Sequence, residues 1–174
     1  FLATVVLESK LGLDLTSYLG LHFVTSPQFE PYQFVTHLFM HGSMLHIFSN
    51  MFALWMFGNV LENVWGGKKF LTYYLVTGLG AAFIHTIFSW YDISKMQESV
   101  DLFLAHPQPM DFKMLVTKYQ SFLRSEDIAA LNELLTNWMA MPSNPEMINT
   151  ASAFAQGLVE RKADIPTVGA SGAV

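Results

Sequence analysis

The chain of 174 residues is 52% hydrophobic, with a mean hydropathy of +0.33, and only 13% of its residues are charged, against about 25% in an ordinary soluble domain. That balance points to a membrane protein. A net charge of -5 with scattered basic residues argues against a nucleic-acid surface, and the absence of cysteine removes disulfides, Cys-ligated zinc and thiol catalysis.

The apolar run from Phe1 to Leu7 covers about 10 Å of a roughly 30 Å hydrocarbon core, half of a spanning helix. It lacks the basic region and small-residue cleavage site of a signal peptide. Only Gly172, Ala173 and Val174 follow Ser171, so the chain reads as an internal piece of a longer polytopic protein. From Glu8 to Tyr32, with Gly12, Gly20, Pro27 and Pro31, the sequence is too polar to span. It is expected to lie in the membrane interface with Phe23, Phe29, Tyr32 and Phe34 at headgroup depth; ordinary loop packing on the bundle explains it equally well.

Met44 to Val60 carries no formal charge and is closed by Leu61-Glu62, which predicts a spanning helix of near-minimal length. Gly66-Gly67-Lys68-Lys69 makes a short basic turn, and Phe70 to Trp90 is a second uncharged run broken only by Gly78, Gly80 and His85. The two spans form a hairpin. Lys68 and Lys69 place the turn on the cytoplasmic side, so the His46 and Trp90 ends face outward.

Residues 91–166 change character, with ten acidic and six basic residues and helical periodicity. They are expected to form a water-facing insert of three or four short helices. Phe112, Leu115, Val116, Tyr119 and Phe122 share one helical face. Ser125 caps a helix with Ile128, Leu131, Leu135 and Trp138 behind it. Asn144-Pro145-Glu146 opens another with Met147, Ala151, Phe154 and Leu158 on its apolar face, and Arg161-Lys162 closes it. This Met and aromatic pattern reads as core and presents no catalytic constellation.

His46 and Asn50, four residues apart, fall on one helical face, where both can donate hydrogen bonds toward a shared point. Such donors suit an oxyanion. Polar groups at membrane depth are costly unless they line a cavity or a protein interior; the plainer alternative is that they join helices. Ser171 lies between Gly169 and Gly172, where small residues allow a tight turn and close helix approach. Its hydroxyl would stand at a helix N-terminus, beside free N–H groups that favour developing negative charge. Small-residue helix packing explains the same glycines. His37, His41 and His46 also invite a metal reading, since His37 and His41 are four apart and could share an ion from one helix face, although zinc normally needs further convergent ligands.

Taken together, these stretches resemble the rhomboid intramembrane serine proteases. Pro31-Tyr32-Gln33-Phe34-Val35-Thr36-His37 resembles the end of the family's long first loop, His41 to Asn50 the His-x-x-x-Asn start of its second transmembrane helix, and Phe57-Gly58 to Glu62 the end of that helix. Gly66-Gly67-Lys68-Lys69-Phe70 resembles the next short loop, and Gly169-Ala170-Ser171-Gly172 the nucleophile turn opening the fourth helix. All occur in family order. The resemblance implies an all-α polytopic transmembrane bundle: residues 1–90 as membrane core, 91–166 as a soluble helical insert, and 167–174 as the start of the fourth helix.

It further implies a serine endopeptidase, with Ser171 as nucleophile, His46 and Asn50 stabilising the oxyanion, and Gly169 and Gly172 shaping the turn. No metal or organic cofactor is needed. The family's base histidine comes from its sixth helix and has no counterpart in this chain, so this stretch alone is expected to be inactive; His85 is a poor substitute. The expected partners are transmembrane protein substrates and the lipid bilayer, in a multi-pass protein of the bacterial cytoplasmic membrane, with the insert outside and positioned to influence substrate access. The oligomeric state is not legible. Two rival readings are a rhomboid-like pseudoprotease that binds membrane clients and a His-based metal or haem protein.

Overall fold

The computed structural model describes residue 12 and residues 14–169. Among them the chain is helical, and the nearest approach to a sheet is an isolated antiparallel bridge between Leu21 and Thr167. In chain order the helices are α1 (Leu15–Leu19), α2 (Gln33–Thr36, continued by a 3-10 turn His37–Phe39), α3 (Met44–Trp65), α4 (Gly67–Ala105), α5 (Pro109–Tyr119), α6 (Ser125–Ala140) and α7 (Pro145–Ala163). The chain divides into two compact units, one running up to Trp90 and resuming at Ala163, the other Tyr91–Lys162.

Helices α3 and α4 are long and apolar enough to cross a membrane. Their side chains do not behave like those of a soluble core. Leu45, Phe48, Trp55, Val76, Phe83 and Phe88 are all exposed, an apolar surface that water would not tolerate but lipid matches. Ser43 starts α3 by accepting a hydrogen bond from the His46 N–H at 3.1 Å, which satisfies one free donor of the first turn.

Both spans outrun the lengths expected from charge alone. Helix α3 was expected to close at Leu61-Glu62 but continues to Trp65. What ends it is Gly66, at φ +82, whose N–H returns to the Glu62 carbonyl at 2.8 Å, a turn that favours glycine. Within α3, Leu54–Gly58 forms a π-helical turn. Gly58 is buried against the Phe70 ring; a Cβ there would lie 3.0 Å from Phe70 Cζ, so this glycine permits close approach of α3 and α4. Trp65 and Tyr73 meet edge to face at 5.3 Å. Helix α4 was expected to stop near Trp90, yet it continues unbroken for 39 residues to Ala105, about 58 Å of helix. No Gly or Pro interrupts it after Gly80, and Pro107 follows its end.

The segment before α3 is an ordered loop built around polar groups. Gln33, 1% exposed, is its hub. Its Oε1 accepts from the N–H groups of His22 (3.2 Å) and Glu30 (3.1 Å), while its Nε2 donates to the carbonyls of Tyr18 (3.2 Å) and Gln28 (2.9 Å). Thr36 Oγ1 donates to the Leu19 carbonyl at 2.7 Å, and Ser17 bonds Gln28. One amide thus satisfies four main-chain groups that burial would otherwise leave unpaired. Phe23 is buried inside this loop and Phe29 packs edge to face on Phe34, the packed-loop alternative.

The unit Tyr91–Lys162 has a water-type core. Met96, Val100 and Phe103 of α4 pack with Phe112, Leu115, Leu131, Leu135, Trp138, Ala151, Ala155 and Leu158. Phe112 stands 5.5 Å from Phe103 and 6.0 Å from Trp138, ring to ring, and Trp138 Nε1 donates to the Pro142 carbonyl at 3.0 Å. Asn144 Oδ1 caps α7 by accepting from Glu146 N–H at 2.9 Å. Ser125 is the first residue of α6, with Arg124 in the cap position and no side-chain cap bond.

Candidate active site

The first two turns of α3 carry His46 and Asn50 on one face, as their spacing predicts. Asn50 is buried, and among the described residues its Nδ2 has no hydrogen-bond partner. Against these two side chains lies the segment that follows α7. Gly169 is buried at φ +115, and a Cβ built there would fall 2.5 Å from both Cε1 and Nε2 of His46 and 3.6 Å from Asn50 Nδ2. Only glycine fits, for two separate reasons: the backbone angle and the imidazole against its Cα.

Four interactions hold this segment. Ser26 Oγ donates to Asp164 Oδ1 at 2.5 Å. Leu21 and Thr167 exchange N–H···O bonds of 2.8 Å in both directions. The Gly169 N–H donates to the His37 carbonyl at 2.8 Å. Thr167 Oγ1 and His85 Nε2 hydrogen-bond at 2.8 Å, and Ser89 Oγ lies 3.3 Å from the same nitrogen.

Two further histidines lie near the site. His37 is buried and donates from Nδ1 to the Gln33 carbonyl at 2.8 Å. Burial is the main force holding its pKa below the usual imidazole value, with that carbonyl opposing and His85 adding to the fall. His41 donates from Nδ1 to the Phe39 carbonyl at 3.3 Å, and its ring meets His46 edge to face at 5.4 Å. Its pKa is also lowered, by burial first. Both shifts favour the neutral ring.

The helix-face arrangement that would let His37 and His41 share an ion does not form. The 3-10 turn ends at Phe39 and Met40 is extended, at φ -91 and ψ 146, so the two rings do not share a helix. Among the described residues no group of three or more His, Cys, Asp or Glu is placed to hold a metal ion. Of the residues singled out in the sequence, the fold brings together His46, Asn50 and Gly169; Ser171 and Gly172 lie outside the described residues. The Gln33 hub and the His85–Thr167 pair were not anticipated. His85 had a signal, an imidazole inside an apolar run, whereas nothing distinguished Gln33 from a solvated loop residue.

Fold and site together define an all-α integral membrane protein in which a polar cluster at the start of one span faces a glycine-bearing segment. Residues 28–94 match the rhomboid domain family. It is similar to the rhomboid protease GlpG of Klebsiella pneumoniae (29% identity over 93 residues, 52% of this chain and 34% of the relative). It is also similar to the proteins of the same name from Salmonella paratyphi A (30% over 96 residues, 52% and 35%) and Salmonella choleraesuis (32% over 66 residues, 37% and 24%). The chain thus spans about a third of the length of the first two relatives. No solved structure gives a significant match.

Proposed function

We propose that the protein is an intramembrane serine endopeptidase, with Ser171 as nucleophile and His46 and Asn50 as oxyanion donors. The observation that carries this reading is the buried Nδ2 of Asn50, without a hydrogen-bond partner among the described residues, one helical turn from His46, with both side chains against Gly169. Ser171 follows only two residues later. An amide left unpaired in a buried position costs about 1–3 kcal/mol; a donor that finds its acceptor only as negative charge develops turns that cost into transition-state stabilisation.

In this mechanism Ser171 Oγ bonds to the substrate carbonyl carbon, and the carbonyl π electrons move onto oxygen. His46, Asn50 and the N–H groups of the turn stabilise that oxyanion. The serine proton passes to a histidine base, which then delivers it to the departing amine as the C–N bond breaks. The family resemblance assigns that base to a later helix, so residues 1–174 alone are proposed to be inactive. Gly169 and Gly172 shape the turn, and no cofactor takes part. Substrates are transmembrane proteins whose helices unwind near the outer face of a bacterial cytoplasmic membrane, the side that Lys68 and Lys69 leave to the His46 end.

The test is cleavage of a single-span reporter by the whole protein in liposomes. Wild type is expected to cut and Ser171→Ala to leave the reporter intact. A folded wild type that binds the reporter without cutting it favours the pseudoprotease reading.

A further inference from the structure

The geometry points to His85 as a positioning residue that fixes residues 164–169, the segment leading to Ser171, to the membrane hairpin, an inference that rests on Ser171 being the nucleophile. Three of the four interactions on residues 164–169 come from one place, the loop segment 21–37: Ser26 to Asp164, the Leu21 pair with Thr167, and the His37 carbonyl to Gly169. They tie the segment to the loop. His85 alone among the described residues hydrogen-bonds the segment from a membrane span, through Thr167 Oγ1 at 2.8 Å across 82 positions of sequence.

The distinction matters because the oxyanion donors sit on the hairpin. His46 and Asn50 belong to α3, which is closed against α4 through the Gly58–Phe70 and Trp65–Tyr73 contacts. A nucleophile held only by the loop follows the loop's motions; one held also by α4 shares the frame of its oxyanion donors. An error of about 1 Å in such an alignment costs on the order of a hundredfold in rate. His85 is an imidazole within an uncharged stretch of α4, where polar side chains are expensive without a partner. Thr167 supplies one, and Ser89, one turn along the same helix, shares the nitrogen at 3.3 Å. Because the pair joins side chains instead of main chain, substitution can remove it while the other three ties remain.

The experiment measures the second-order rate of fluorophosphonate labelling at Ser171 in the detergent-purified whole protein, alongside its melting temperature. The variants are Thr167→Val, His85→Ala, His85→Gln and the double His85→Ala/Thr167→Val. Loss of one positioning hydrogen bond is expected to slow labelling roughly five- to tenfold in each of Thr167→Val and His85→Ala. The double variant should be no slower than the slower single, since both remove the same interaction. His85→Gln, whose amide nitrogen reaches a similar point, should recover most of the wild-type rate, and KM for a cleaved reporter should hold while kcat falls. Where His85→Ala does not fold, the nearly isosteric Thr167→Val carries the test. Wild-type labelling rates in Thr167→Val, or losses that multiply in the double, overturn the inference while leaving Ser171 as nucleophile. A folded wild type that does not label overturns the Ser171 reading, and this inference with it.

Discussion

Asn50→Ala separates a catalytic donor from a structural one. In the resting protein Asn50 Nδ2 is buried and unpartnered among the described residues, so truncation breaks no hydrogen bond from that nitrogen and removes an unsatisfied donor. Such a donor costs about 1–3 kcal/mol when buried. Part of that gain is lost to the small cavity the substitution leaves, so the melting temperature is expected to stay level or rise slightly. Activity moves the other way. Removal of one oxyanion donor typically lowers kcat by about 10²–10³, or 2.7–4 kcal/mol of transition-state stabilisation. Since the donor is unpaired until charge develops, the loss belongs in kcat, with KM nearly unchanged. The assay is reporter cleavage by the whole protein in liposomes over a range of substrate densities, with thermal unfolding followed in parallel. A clear fall in melting temperature with kcat intact would refute the reasoning and make Asn50 an interhelical packing residue.

Gly169→Ala places a methyl group 2.5 Å from the His46 ring at φ +115; it is expected to lower the Ser171 labelling rate at least about tenfold, from a backbone strain of order 1–3 kcal/mol plus displacement of His46, and labelling at the wild-type rate would contradict the contact. Gln33→Ala frees four main-chain groups at once and should speed amide hydrogen exchange across residues 18–30, whereas unchanged protection would deny Gln33 its role as hub. Trp138→Ala empties the centre of the Tyr91–Lys162 core and is expected to cost about 3–5 kcal/mol, read by denaturant unfolding and near-ultraviolet circular dichroism. The lowered pKa values of His37 and His41 mean that the unfolded chain binds protons more readily than the folded one. Their stabilising contribution is therefore complete above the usual imidazole value of 6.5 and fades as pH falls below it. Melting temperature should drop between about pH 7 and pH 5, and less so in His37→Gln.

The spans were legible because uncharged runs bounded by charge and glycine leave few other solutions. Their ends were less so. Charge at Glu62 and the end of the uncharged run at Trp90 suggested stops, but a charged residue ends a membrane's interior and not a helix; the helices stop where Gly66 and Pro107 disrupt the backbone pattern. The His46 and Asn50 face followed directly from their spacing, and Gly169 from its place beside a candidate nucleophile. The π turn at Leu54–Gly58 has no sequence signature of its own. Thr167 meeting His85, and Gln33 gathering four main-chain partners, depend on tertiary placement across many residues, which local periodicity does not encode. The spacing of His37 and His41 would suit one helix face, but extended Met40 separates the two rings.

The most direct measurement is mass-spectrometric mapping of a fluorophosphonate adduct on the folded whole protein. The account predicts covalent modification at Ser171, abolished in Ser171→Ala and strongly slowed in Asn50→Ala. A folded, unmodified wild type, or an adduct that persists in Ser171→Ala, would contradict it.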